Sequence, residues 1–128
     1  MALRSGREFF DALSSYFEPH APKWDTPGTM AVELDPRTVQ TPALDLIDDA
    51  LVRAFKTPDS RLIISMPPQE GKSQRASRRF PLWALQQNPD LRIAIASYEA
   101  NIARRWGRVV RDDISQHSAV LGLSLIHI

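Results

Sequence analysis

Two short apolar runs constrain this chain most. Arg61-Leu-Ile-Ile-Ser-Met66 and Arg92-Ile-Ala-Ile-Ala-Ser97 each have the length and apolar content of a buried strand. Between them, residues 71–87 read as a helix interrupted at Pro81. Strand, loop, helix, strand is a βαβ unit, which requires parallel strands and a right-handed crossover. The expected fold class is therefore α/β, a parallel sheet flanked by helices.

The flanking segments add helices. In residues 5–17, Ser5 and Glu8 have capping-box spacing, and Phe9, Phe10, Leu13, Tyr16 and Phe17 share one face. Residues 18–36 hold Pro19, Pro22, Pro27, Gly28 and Pro36 and read as a loop or connecting arm, with Trp24 available to pack. A second helix begins at Thr41, a good N-cap, followed by Pro42 where a missing N–H is harmless. Leu44, Ile47, Leu51 and Phe55 form its buried stripe, and Pro58 and Asp59 end it. Asp45, Asp48 and Asp49 suit the positive end of the helix dipole; metal binding is the alternative. After Ser97 a further amphipathic helix places Ile102, Ala103, Trp106, Val109 and Val110 on one face. Arg104, Arg108 and Arg111 lie on the other, with Arg105 beside them, and Gly107 weakens the helix slightly.

Composition and charge narrow the function. With no cysteine, disulfides, Cys-based zinc sites and thiol nucleophiles are excluded. No apolar run reaches about 18 residues, so no membrane span is expected, and the first residues do not resemble a secretory signal. The expected compartment is the cytosol. The net charge of +1 conceals an asymmetry: residues 1–60 carry six Lys/Arg and ten Asp/Glu, whereas residues 61–128 carry ten and five. Thirteen of the sixteen cations are Arg, and eight of these lie between Arg75 and Arg111. Such a half suits phosphate or acidic partners; a solvated helix face is the other reading.

The chemistry concentrates at Met66-Pro67-Pro68-Gln69-Glu70-Gly71-Lys72-Ser73, between the first apolar run and the following helix. Backbone N–H groups at such a junction point at phosphates. Gly71 permits close approach, Lys72 suits the β/γ-phosphates of ATP, and the Ser73 hydroxyl suits Mg²⁺. Pro68, Gln69 and Glu70 complete the expected loop. Met66 stands where the G-x-x-x-x-G-K-[ST] pattern has its first Gly. An ordinary connection with a helix-capping Ser is the alternative.

Four blocks extend this signal: the loop, Arg78-Arg79-Phe80-Pro81-Leu82-Trp83, Asn88-Pro89-Asp90-Leu91-Arg92, and Ile95-Ala96-Ser97-Tyr98. In this order, across about residues 35–114, they resemble the N-terminal ATPase region of the large terminase subunit of tailed bacteriophages. That family tolerates a missing first Gly. The resemblance implies an incomplete P-loop NTPase-type sheet over residues 35–128, preceded by an N-terminal helix and Pro-rich arm over residues 1–34. It implies ATP and Mg²⁺ as cofactors, and a motor that drives double-stranded DNA into a procapsid in the infected host's cytoplasm. Portal, small terminase subunit and a self-oligomeric ring would be partners, and a nuclease domain would follow. Gln69 and Glu70 stand where many members carry a basic residue, and Arg75 is a conceivable substitute that could equally face solvent. Gln40 resembles an adenine-reading glutamine of helicase-like ATPases, since an amide matches both edges of adenine; a solvated loop amide is the alternative. Ser97-Tyr98 lies near the nucleotide or DNA path in the family, or is a capping Ser beside a packing Tyr.

A P-loop ATPase also needs an acidic residue after a further strand and a group that positions water. Asp112 and Asp113 end an amphipathic helix and do not suit that role. The chain therefore reads as a truncated or partial ATPase that would not turn over ATP alone. Residues 123–128 have no counterpart in the family and read as foreign to it. His20, His117 and His127 have no spaced partners. Another helicase-like P-loop ATPase, or a non-catalytic nucleic-acid-binding module, remains open.

Overall fold

A computed structural model describes residues 21–67 and 71–123. The helix expected over residues 5–17 lies outside the described residues, as do Pro68, Gln69 and Glu70. Five helices are described: α1 Pro27–Leu34, α2 Pro42–Lys56, α3 Phe80–Gln87, α4 Ala100–Gln116 and α5 Ser118–Leu121. A π-helical stretch, Gln74–Arg79, joins directly to α3.

The expected α/β sheet is not formed. Among the described residues there is no strand, and no backbone hydrogen bond links residues 61–67 to residues 91–97. The physical reason is burial. Parallel strands need cover on both faces, but Leu62 and Ile93 are exposed and Ile63 is 93% exposed. Two short strands without further neighbours are marginal. The first run instead lays alternate side chains, Ile64 and Met66, on the Leu44–Ile47–Leu51 stripe of α2.

Helix-on-helix packing builds the main core. Met30 of α1, Leu82, Trp83 and Leu85 of α3, Val110 and Ile114 of α4 and Leu121 of α5 converge there with Trp24 and Leu123. Phe55 meets Trp83 edge-on at 5.0 Å, and Phe80 stacks on Trp83 at 6.1 Å. Trp83 Nε1 and Gln87 Nε2 both donate to the Trp24 carbonyl at 2.9 Å, so the segment before α1 is anchored to α3. Leu123 is buried even though residues 123–128 read as foreign.

Part of the expected connecting arm is helical. Thr26 caps α1 by accepting from the Thr29 N–H at 3.1 Å, and Pro27 occupies the first turn. Pro27-Gly28 is thus a helix start rather than a turn. α2 follows expectation: Thr41 accepts from the Leu44 N–H at 3.2 Å, and Leu44, Ile47 and Leu51 are buried. The interruption near Pro81 takes a specific form. Pro81 has no N–H for the carbonyl four residues earlier, and its ring crowds that carbonyl. The preceding turns widen, and the Phe80 N–H bonds to the Arg75 carbonyl, five residues back.

α4 buries Val110, Asp113 and Ile114, half-buries Ile102, Trp106 and Val109, and leaves Arg104, Arg108 and Arg111 exposed. A Cβ on Gly107 would meet nothing within 4 Å. Gly107→Ala is therefore expected to stabilise the fold by up to about 1 kcal/mol, the helix-propensity difference between the two residues. Urea denaturation should show a higher midpoint with an unchanged slope.

Candidate functional site

Residues 72–87 form a continuous helix whose first turn carries Lys72 and Ser73, two residues of the expected phosphate loop. Gly71 takes φ 82°, a left-handed conformation that suits glycine, and its carbonyl accepts the Arg75 N–H at 3.0 Å. The first helical N–H groups then lack intrahelical acceptors, as at any helix start. Lys72 is half-buried and Ser73 is exposed. Gly71, Lys72, Ser73 and Gln74 line a cleft of about 550 Å³ together with Met66 and Trp106. Trp106 thus brings an aromatic wall from α4 to the phosphate-loop residues, and Arg105 lies 5.4 Å from its ring. No carboxylate lines this cleft among the described residues.

Gln40 lies elsewhere. It borders a second cavity of about 590 Å³ with Gly28, Val32, Asp45, Asp48 and Asp49, and none of Gly71, Lys72 or Ser73 reaches that cavity. Its amide is already engaged. Nε2 donates to Asp45 Oδ1 at 2.7 Å and to Asp48 Oδ2 at 2.9 Å, while Oε1 accepts from Arg75 Nη2 at 2.9 Å. Arg75, the conceivable substitute for a basic loop residue, is buried and turned to α2. Its Nη1 meets Asp48 Oδ2 at 2.6 Å, with both side chains almost fully enclosed. Ser97 and Tyr98 line neither cavity; both are exposed, and Tyr98 is 95% so.

Three partnerships were not evident from sequence. Asp48 matches Asp45 and Asp49 as a dipole-favoured acid in sequence, but it is the buried partner of Arg75. Asp113 is also buried. It accepts from Arg78 Nε and Nη2, both at 2.8 Å, and this contact holds the Arg78 guanidinium above its usual pKa. Arg79 is buried beside them, where desolvation first and the charge of Arg78 second lower its pKa. A sequence signal for this existed: Arg75, Arg79, Leu82 and Gln86 recur at helical spacing on one buried face. Asp35 is held below its usual pKa by side-chain and backbone hydrogen bonds from Arg37.

Among the described residues no three His, Cys, Asp or Glu side chains gather as metal ligands, and no helix is long and apolar enough to cross a membrane. Comparison with protein-family models, curated proteins and solved structures finds no match to this chain.

Gly28 makes the Asp48–Arg75 pair possible. A Cβ there would lie 2.1 Å from Asp48 Oδ2 and 2.7 Å from Arg75 Nη1. Removing one partner of a buried ion pair costs about 3–5 kcal/mol, because the other charge is stranded. Arg75→Met is expected to destabilise by that amount, and Arg75→Met combined with Asp48→Leu should recover much of it. A double-mutant cycle by urea denaturation checks this; additive losses would show that the two residues are energetically independent.

Proposed function

We propose that this chain is the nucleotide-binding part of a phage DNA-packaging motor, a terminase large subunit acting in the host cytoplasm. In this reading the cleft at Gly71, Lys72 and Ser73 takes the phosphates of ATP. One observation carries it: Gly71-Lys72-Ser73 opens a helix with a left-handed glycine and faces a cleft closed on one side by Trp106. A lysine and unpaired N–H groups at a helix start are the chemistry a polyphosphate needs, independently of any sheet. Lys72 would neutralise phosphate charge, and the indole of Trp106 offers an apolar surface to the rest of the ligand.

Mg²⁺ fits this cleft in part. The exposed Ser73 hydroxyl would give one oxygen ligand, and the remaining positions would fall to phosphate and water, the usual arrangement for this ion. When bound, the ion would offset phosphate charge. Gln40 and Arg75 are not assigned to the nucleotide, because they bond to each other and to Asp48. Double-stranded DNA, the portal, the small terminase subunit and further copies in a ring remain the partners proposed from the resemblance.

Lys72→Ala should weaken Mg-ATP binding at least about tenfold, the loss expected for a charge-assisted phosphate contact. Isothermal titration of the folded chain measures it. Equal affinity in both proteins would remove Lys72 from any phosphate site.

A second reading has its own observation. Arg104, Arg105, Arg108 and Arg111 are all exposed on α4, and among the described residues only Arg111 has an acidic neighbour, Asp112 at 3.8 Å. This is the pattern of a helix that contacts nucleic-acid phosphates without catalysis. Such binding would weaken with salt by a log–log slope of roughly −0.9 per phosphate neutralised. Reversing Arg104, Arg108 and Arg111 to Glu should then abolish duplex binding and leave Lys72-dependent nucleotide binding intact. A wild-type chain whose duplex binding ignores salt would exclude a phosphate-contacting role for α4.

A further inference from the structure

A third cavity, of about 220 Å³, lies between the turn after α1 and the start of the 72–87 helix. Arg75, Arg78 and Arg79 line it together with Asp35, Thr38 and Gly71. Two of these guanidinium groups are satisfied. Arg75 bonds to Asp48 and Gln40, and Arg78 takes both oxygens of Asp113. Arg79 is not. It is 6% exposed; among the described residues its Nη1 has no hydrogen-bond partner, and the acid it pairs with, Asp113 Oδ2 at 3.9 Å, is already bonded to Arg78. Asp35 lines the same cavity, but its carboxylate is held by Arg37 through Oδ1 at 3.1 Å.

Arg78 and Arg79 therefore share one carboxylate, and a buried guanidinium that has no hydrogen-bonded acid of its own is unfavourable. The Thr38 hydroxyl does not compensate; it donates to the Ala31 carbonyl at 3.2 Å. An acceptor-rich anion small enough for a cavity of this volume would satisfy Arg79. The guanidinium fork matches tetrahedral oxyanions through paired N–H donors.

We propose that this cavity is a phosphate-binding site centred on Arg79, separate from the Lys72 cleft and independent of the nucleotide reading. Arg79, which shares Asp113 with Arg78, supplies the surplus charge, and Arg75 and Arg78 add positive potential from positions fixed by their carboxylate partners. The occupant is either free phosphate or the phosphoryl group of a small phosphoester. Asp35 opposes it and limits affinity.

Inorganic phosphate is the probe, titrated into the full chain by calorimetry and followed by thermal unfolding. The wild-type chain should bind phosphate saturably and gain several degrees in melting temperature, as expected for a ligand specific to the folded state. Arg79→Met should lose at least about tenfold in phosphate affinity, and it should melt higher than wild type without phosphate because the surplus charge is gone. Lys72→Ala removes any phosphate held in the Lys72 cleft, and a saturable phosphate site that Arg79→Met abolishes should remain in it. Asp35→Asn should bind it severalfold more tightly; this variant carries the test if Arg79→Met fails to fold. ADP that displaces phosphate from the Lys72→Ala protein identifies a phosphoester as the occupant, and ADP that does not identifies free phosphate. Absence of saturable binding, binding lost in Lys72→Ala but kept in Arg79→Met, or unchanged affinity in Asp35→Asn overturns the proposal.

Discussion

The buried Asp48–Arg75 ion pair is the constraint around which the described structure is arranged. It joins α2 to the 72–87 helix at 2.6 Å, and α1 can approach only because residue 28 has no side chain. Gln40 closes the group by bonding to both partners, which also holds the segment before α2 in place. A pair this enclosed gives little net stability over an apolar alternative, because desolvation offsets most of the attraction. It does impose register: a one-residue shift of α2 would strand a charge in the interior, and a one-residue shift of α1 would put a side chain where Gly28 leaves room.

Ordinary helical spacing brings two arginines to that interior. At about 100° per residue Arg75, Arg79, Leu82 and Gln86 share one face, and the wider π-helical turns before Pro81 leave all four buried. Arg78 lies off that face and finds Asp113 on α4.

Local signals in the sequence were legible where the chain satisfies its own polar groups. Thr41-Pro42 and the Leu44, Ile47, Leu51 stripe gave α2 nearly residue by residue, and the arginine face of α4 was equally plain. The two apolar runs misled because a strand has no internal hydrogen bonds, so its existence depends on neighbours that a local pattern does not contain. Residues 61–66 have strand-like alternation but rest one face on a helix. Pro27-Gly28 misled for a different reason: turn and helix-start chemistry use the same residues, and the Thr26–Thr29 cap is what separates them. Ion-pair partners 27 and 35 residues apart, Asp48 with Arg75 and Arg78 with Asp113, carry no periodic signal at all.

The chemistry proposed for residues 71–74 does not depend on the sheet. A sheet would place such a loop, but any affinity for phosphate would arise from helix-start N–H groups, a position free of Cβ and a lysine within reach, and four consecutive residues bring these together. Function resides in such sites rather than in the architecture that carries them. In this chain the same helix start faces two cavities: Gly71 and Gln74 border both the Lys72 cleft and the arginine-lined cavity. The helix therefore presents positive charge on both sides of one glycine, with Lys72 on one side and, on the other, Arg79 sharing a single carboxylate with Arg78.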